Sequence, residues 1–309
     1  MSSLPDLQQM IMDTGALTSR LERLLAAHPE SSSLGANIAS LRKRQAKLEA
    51  AFREEADRVE VDVCNYRLIP EVERPLAAGV GDALKTFQSL LSVVYDAVKY
   101  GPKSTKRIGA EVWAQTALGF NYTYAGSIGI VMTLPNERLL IDSHLDEAMK
   151  TVFEMVKSPD SSTVLSHARQ LGVGPVRAMH DWAQGHLAAG FGASIKWGRG
   201  DDIRSEVLVQ MPELENLRRV ISEASDENVD YWYVSGDLVG ANVSSKTFHI
   251  KTEDMNIKGT FGAAIGQAQT VELPKRYRFK LRRTTRVYYS TDKEDVEYFL
   301  EEIDPKDQA

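Results

Sequence analysis

Apolar and polar positions along this chain follow two rhythms, one helical and one strand-like, and the change between them divides it. From Leu4 to Ala27 the apolar residues Leu4, Leu7, Met10, Ile11, Leu17, Leu21 and Leu24 recur close to the 3.6-residue period, which predicts an amphipathic helix. His28-Pro29-Glu30 breaks the pattern, and Ser31 to Ser33 can cap a second helix. In that helix Leu34, Ile38, Leu41, Leu48 and Phe52 recur at spacings of three, four and seven. Such a short break between long helices predicts an antiparallel hairpin. Two uses of it are open: an arm packed on its own domain, or a coiled coil between copies.

The middle of the chain mixes both rhythms. Val59 to Ile69 alternates as a strand that Pro70 ends, and Pro75 to Tyr100 carries a helical stripe of Leu76, Val80, Leu84, Phe87, Leu91, Val94, Tyr95 and Val98. The basic loop Gly101 to Arg107 follows. Two strands are expected over 111–124 and 128–134, forming a hairpin through Ala125-Gly126-Ser127. A helix is expected over 145–157, and two more over 160–191 with a break near Gly172 to Pro175. Short strands are expected at 195–197 and 206–210, and a helix opens at Pro212. This order predicts an antiparallel sheet with helices on one face. Ser225 to Asn228 reads as a linker.

Beyond it the period is two. Tyr231 to Val239, Thr247 to Ile250, Met255 to Phe261, Arg276 to Tyr289 and Val296 to Ile303 read as strands of a small barrel, OB-like or SH3-like. A turn is expected over 240–245, and Gly259 marks a bulge or a bend. The whole chain therefore reads as α+β: a helical hairpin over 1–57, an α+β domain with an antiparallel sheet over 58–225, and a small β-barrel over 226–309.

The strand 275–283 carries the most distinctive chemistry. Tyr277, Phe279 and Leu281 alternate with Arg276, Arg278, Lys280 and Arg282, so one face is apolar and the other cationic. Those four cations are the candidate contacts to nucleic acid, a nucleotide or an acidic protein partner. Tyr231, Trp232, Tyr233, Tyr288 and Tyr289 are either stacking platforms for bases or core. The opposing reading is neutralisation across the sheet by the acids of 292–302. Residues 229–303 hold eleven Lys or Arg and eleven Asp or Glu, which keeps that reading open.

Composition narrows the picture. A net charge of −6 over 309 residues excludes a generally basic nucleic-acid binder. Cys64 is the sole cysteine, so neither an internal disulfide nor a cysteine zinc cage can form, which suits the cytoplasm. No apolar run approaches a bilayer span, no signal pattern is present, and no membrane partner is expected.

Other constellations are weaker. Asp142-Ser-His144-Leu-Asp146-Glu147 precedes a helix, where Asp142 or Ser143 would cap it. His180 and His186 stand six residues apart, about 600° of helix, and so on different faces. A metal-dependent hydrolase or nuclease would have to gather Asp142, His144, Asp146, His180 and His186 through the fold. Gly126-Ser-Ile-Gly129 lacks the phosphate-loop and dinucleotide patterns, and Ser127 lacks a nucleophile elbow. Phe248-His-Ile-Lys251 with Glu253 and Asp254 has a loose nuclease-like order. No cofactor is implied.

Asn121 to Leu134, and Ser235 to Asn242 with Thr247 to Ile250, are similar to uncharacterised bacterial and phage families that pair a Gly-Ser-hairpin α+β domain with a C-terminal small β-barrel. That resemblance implies no reaction and no site residues. It implies a setting in mobile elements and defence islands, including antiviral defence. The expectation is a cytoplasmic, non-enzymatic binding protein that self-associates through its N-terminal helices, with a metal-dependent hydrolase and a structural assembly component as alternatives.

Overall fold

The structure, a computed structural model, describes residues 3–124, 128–136, 142–157, 160–262, 265, 271–290 and 294–305. It divides into two compact units, Met1–Ser222 and Glu223–Ala309. The architecture is α+β, with an N-terminal helical hairpin and a C-terminal closed barrel.

In the first unit α1 (Leu4–Ala27) and α2 (Ser32–Arg58) form the hairpin. Each begins on a serine cap: Ser3 accepts from the Asp6 amide, and Ser31 from the Leu34 amide. The base of the hairpin packs on the sheet, where Leu7, Ile11, Phe52 and Ala56 share a core with Val63, Tyr122 and Val131.

That sheet contains β1 (Val61–Pro70), β2 (Gly119–Tyr124), β3 (Ile128–Pro135), β4 (Phe191–Arg199) and β5 (Asp202–Val209) in the order β2-β3-β1-β4-β5, every pair antiparallel. The strand period splits β1 between two cores. Val63 faces the hairpin, while Tyr66 packs on Phe87 of α3 (Ala77–Tyr100) with ring centroids 4.7 Å apart. The helix α5 (His144–Lys157), α6 (Ser161–Leu171), α7 (Val173–Ala189) and α8 (Met211–Glu223) complete this unit's main elements.

Residues 110–116 depart from the expected strand. They form a short helix, α4 (Ala110–Thr116). Its buried Val112 and Thr116 lie four apart, and Thr116 Oγ1 meets Ser92 Oγ of α3 at 2.6 Å. Gln88 caps its end, donating to the Thr116 carbonyl and accepting from the Leu118 amide, each at 2.8 Å. These partners lie nearly thirty residues away, so the β-rich local composition could not reveal them. The expected tip at Ala125 to Ser127 lies outside the described residues.

The second unit is a barrel of β6 (Ser225–Asn242), β7 (Thr247–Lys251), β8 (Asn256–Phe261), β9 (Lys275–Tyr288) and β10 (Glu294–Pro305), closed in the order β10-β8-β7-β6-β9. All neighbours are antiparallel except β8 and β10, which are parallel. A parallel pairing of the third and fifth strands is the OB arrangement, not an SH3-like meander. Phe248, Ile250, Phe279, Leu281 and Leu300 are among the residues that fill its core.

Three expectations change here. Ser225 to Asn228 is no linker, because its backbone pairs with Tyr288 to Thr285. The turn lies later than expected, at 243–246, because β6 continues pairing with β7 to Asn242. Gly259 sits in regular pairing with Phe248, so it marks neither bulge nor bend. A Cβ there would lie 2.1 Å from the Tyr298 carbonyl oxygen and 2.8 Å from the Phe248 ring. The glycine is needed where β8 closes against β10.

Replacing Gly259 by Ala should therefore destabilise the barrel by about 1–3 kcal/mol, the usual cost of overpacking. Chemical denaturation of the G259A protein checks this, and an unchanged midpoint would refute it.

Candidate binding face of the barrel

Strand β9 divides its side chains as its sequence predicts. Tyr277, Phe279 and Leu281 are buried, Arg276 and Arg278 are exposed, and Lys280 and Arg282 are half-buried. Pairing with β6 sets Asp237, Ser235, Tyr233 and Tyr231 opposite Arg276, Arg278, Lys280 and Arg282 in turn. On the other side β10 sets Asp304, Glu302 and Phe299 opposite Arg278, Lys280 and Arg282. The outer face thus carries an aromatic column, a cationic column and a largely acidic column.

Tyr231 and Tyr233 are 55% and 62% exposed, which rules out the core reading for both. Lys280 Nζ lies 5.8 Å from the Tyr231 ring and Arg278 lies 5.7 Å from the Tyr233 ring. Arg282 stacks 4.8 Å over Phe299. Trp232 points to the other side, packed against the barrel core, and Tyr289 is fully buried.

Three of the four cations have carboxylate partners. Arg276 meets Glu253 at 2.9 Å, Lys280 meets Glu302 at 3.0 Å, and Arg282 meets Glu301 at 3.6 Å. Hydrogen bonding to Glu302 raises the Lys280 pKa. Arg278 has no ion pair among the described residues. Solvent-accessible pairs of this kind contribute little to stability, so an incoming anion can displace the glutamates at low cost. The face can stack planar groups on its tyrosines and hold an anion beside them. The pairs with Glu302 and Glu301 are the cross-sheet neutralisation that the acids of 292–302 offered, whereas Phe299 and Glu253 were not singled out in the sequence as parts of this face.

The residues of the hydrolase alternative are gathered only in part: Asp142 and Asp146 share Arg204, at 3.7 and 2.8 Å, while His180 and His186 lie elsewhere. His186 is fully buried, and its Nδ1 lies 3.1 Å from the Phe191 carbonyl. A carbonyl only accepts, so Nδ1 carries the proton and Nε2 accepts from the Tyr66 hydroxyl at 2.7 Å. Trp182 Nε1 donates to the same hydroxyl at 2.8 Å, completing a satisfied structural network. Burial lowers the His186 pKa to about 4. His180 instead lies 3.2 Å from Ser222 Oγ. Among the described residues no group of His, Cys, Asp and Glu could hold a metal.

Asp146 belongs to a buried lattice of hydrogen bonds. Ser143 caps α5, accepting from the Asp146 amide at 3.1 Å while its own amide donates to the Asp146 carboxylate at 3.0 Å. The same carboxylate accepts from Arg199 at 2.9 Å, Arg204 at 2.8 Å and Asn136 at 3.0 Å. Asp62, fully buried, accepts from Arg199 at 2.9 and 3.2 Å and from Asn136 at 2.7 Å. Burial alone would raise the Asp146 pKa, but the Ser143 amide, Arg199, Asn136 and Arg204 outweigh it and hold it below the ordinary carboxylate value. A carboxylate so saturated with donors is a structural hub and a poor base. Its partners come from β1, β4 and β5, and no local spacing in the sequence pointed to them.

Removing Arg199 takes two hydrogen bonds from the buried Asp62 and one from Asp146. Arg199→Ala should cost about 3–5 kcal/mol in chemical denaturation, and a loss under 1 kcal/mol would refute the hub. His186 makes a pH prediction of definite sign. The unfolded imidazole takes its proton first, so the full contribution is present above about pH 6.5 and declines as the pH falls towards 4. The loss attributable to His186 should reach about 3 kcal/mol and be missing from a His186→Gln protein, as read from stability against pH. No protein-family model, curated protein or solved structure matches this chain.

Proposed function

We propose that this is a cytoplasmic, non-enzymatic binding protein whose barrel binds single-stranded nucleic acid across β6 and β9. Bases stack on Tyr231 and Tyr233, and phosphates meet Arg278, with Lys280 and Arg282 released from their glutamates. The observation that carries this reading is the pair of exposed tyrosines one pleat apart, each with a cation within 6 Å of its ring. Stacking of this kind tolerates any base, since every base presents a π-face. The OB arrangement supports the reading by fold analogy alone.

The acidic column on β10 favours a second reading. A surface combining Tyr, Arg and both signs of charge also suits a protein partner. Affinity and its salt dependence separate the two.

Fluorescence anisotropy with a labelled oligothymidylate at low salt should show saturable binding. Replacing Tyr231 and Tyr233 by Ala should weaken it by about 1–3 kcal/mol per base stacked. Replacing Arg276, Arg278, Lys280 and Arg282 by Ser should weaken it and flatten its salt dependence. Absent binding, or affinity and slope untouched by either set, would overturn the nucleic-acid reading and leave the protein partner.

A further inference from the structure

The hairpin carries a groove that the barrel face does not explain. On α1 it is lined by Ile11, Gly15, Thr18, Glu22 and Leu25. On α2 it is lined by Gly35, Ile38, Arg42, Gln45 and Glu49. Both sets alternate steps of three and four, the spacing of a helix face that packs against another helix. Two cavities of about 560 and 760 Å³ make up the groove, and they meet at the Glu22–Arg42 ion pair. Glycines at 15 and 35 remove side chains that would otherwise fill it. Beyond the base of the hairpin few residues are buried: of 12–48 only Thr14, Thr18 and Ile38 are, while Met12, Leu17 and Leu24 are 37–46% exposed. Two long helices bury too little apolar surface by themselves to complete a bundle.

From this geometry we infer that the groove is filled by the same groove of a second copy, giving an antiparallel four-helix bundle. The lining is complementary to itself. Arg42 pairs with Glu22, and the ideal Cβ of Gly15 lies 3.9 Å from Gln45, so these pairs fix which levels of α1 and α2 face each other. The centre of the groove then falls near Thr18, between Arg42 and Gln45. A two-fold axis there sets the apolar tip, where Leu25 lines the groove, against the partner's Met12 at the base. It also points Arg42, on the tip side, towards Glu49 of the partner subunit, on the base side, and the reverse. The antiparallel sense follows from sterics. Thr123 and Tyr124 of the sheet line the base end, so parallel hairpins would drive two sheets together, whereas antiparallel ones separate them. Such an interface is isologous and closed.

Native mass spectrometry of the full chain at micromolar concentration should give twice the 34.4 kDa chain mass. Glu49→Arg should shift the protein to monomer, and adding Arg42→Glu to it should restore the dimer by exchanging the charges. That rescue separates a lost contact from a misfolded hairpin. Gln45→Cys should cross-link between copies with a short thiol-reactive linker, because Cys64 is buried and leaves Cys at 45 as the accessible thiol. A monomer in the wild type would overturn the inference. So would a dimer that Glu49→Arg leaves intact and that does not cross-link through position 45.

Discussion

Two carboxylates, Asp62 and Asp146, withdrawn from water at one end of the five-stranded sheet and held by the half-buried Arg199 and the exposed Arg204, fix the elements around them. Asp62 enters from β1, Arg199 from β4, Arg204 from β5 and Asp146 from the first turn of α5. Burying either carboxylate alone would be costly, so β1 and α5 are held where Asp62 and Asp146 find donors. The arrangement also accounts for the register shift between β4 and β5 near Trp197 and Gly198. Arg204 sits at that irregularity, and the local break in alternation turns its guanidinium towards α5. One polar network thus does what apolar packing alone cannot: it specifies which end of α5 meets which strands.

The barrel obeys a different constraint, that of closure. Its first strand pairs with both β7 and β9, and its third and fifth strands meet in parallel. Closure removes free sheet edges and, where β8 meets β10, brings backbones too close for a side chain. Gly259 fills that position. Once the barrel is closed, the alternation of β9 leaves its cations no choice of face, and the column between tyrosines and acids follows directly from strand order. Local neutralisation then explains how four cations coexist on an acidic chain.

These two constraints also separate structure from chemistry. The histidines and acids that look most reactive in the sequence are spent on stability, His186 in a hydrogen-bonded aromatic network and Asp146 in the charge lattice. On the barrel face Tyr231, Tyr233 and Arg278 stay accessible. In the hairpin, Met12, Leu17 and Leu24 leave an apolar helical face exposed.

Much of this was legible in the residues themselves. Periods of 3.6 and 2 located the hairpin, the helices α3, α5 and α7, and the strands of the barrel, because side-chain direction repeats with local geometry alone. Serine caps, the break at His28 to Glu30, and the split of β9 into an apolar and a cationic face are likewise local. Whether the lone cations of β9 stand free was not local. It depended on Glu253, Glu301 and Glu302, which the fold brings from 19 to 23 residues away. The helix at 110–116 needed Gln88 and Ser92 of α3, and the polar stretch at 225–228 became strand through its pairing with β9. The sequence by itself determined where each element begins its rhythm and which faces are apolar. Tertiary structure alone decided which charges are neutralised and how the barrel closes, since contact energies between distant segments leave no trace in local periodicity.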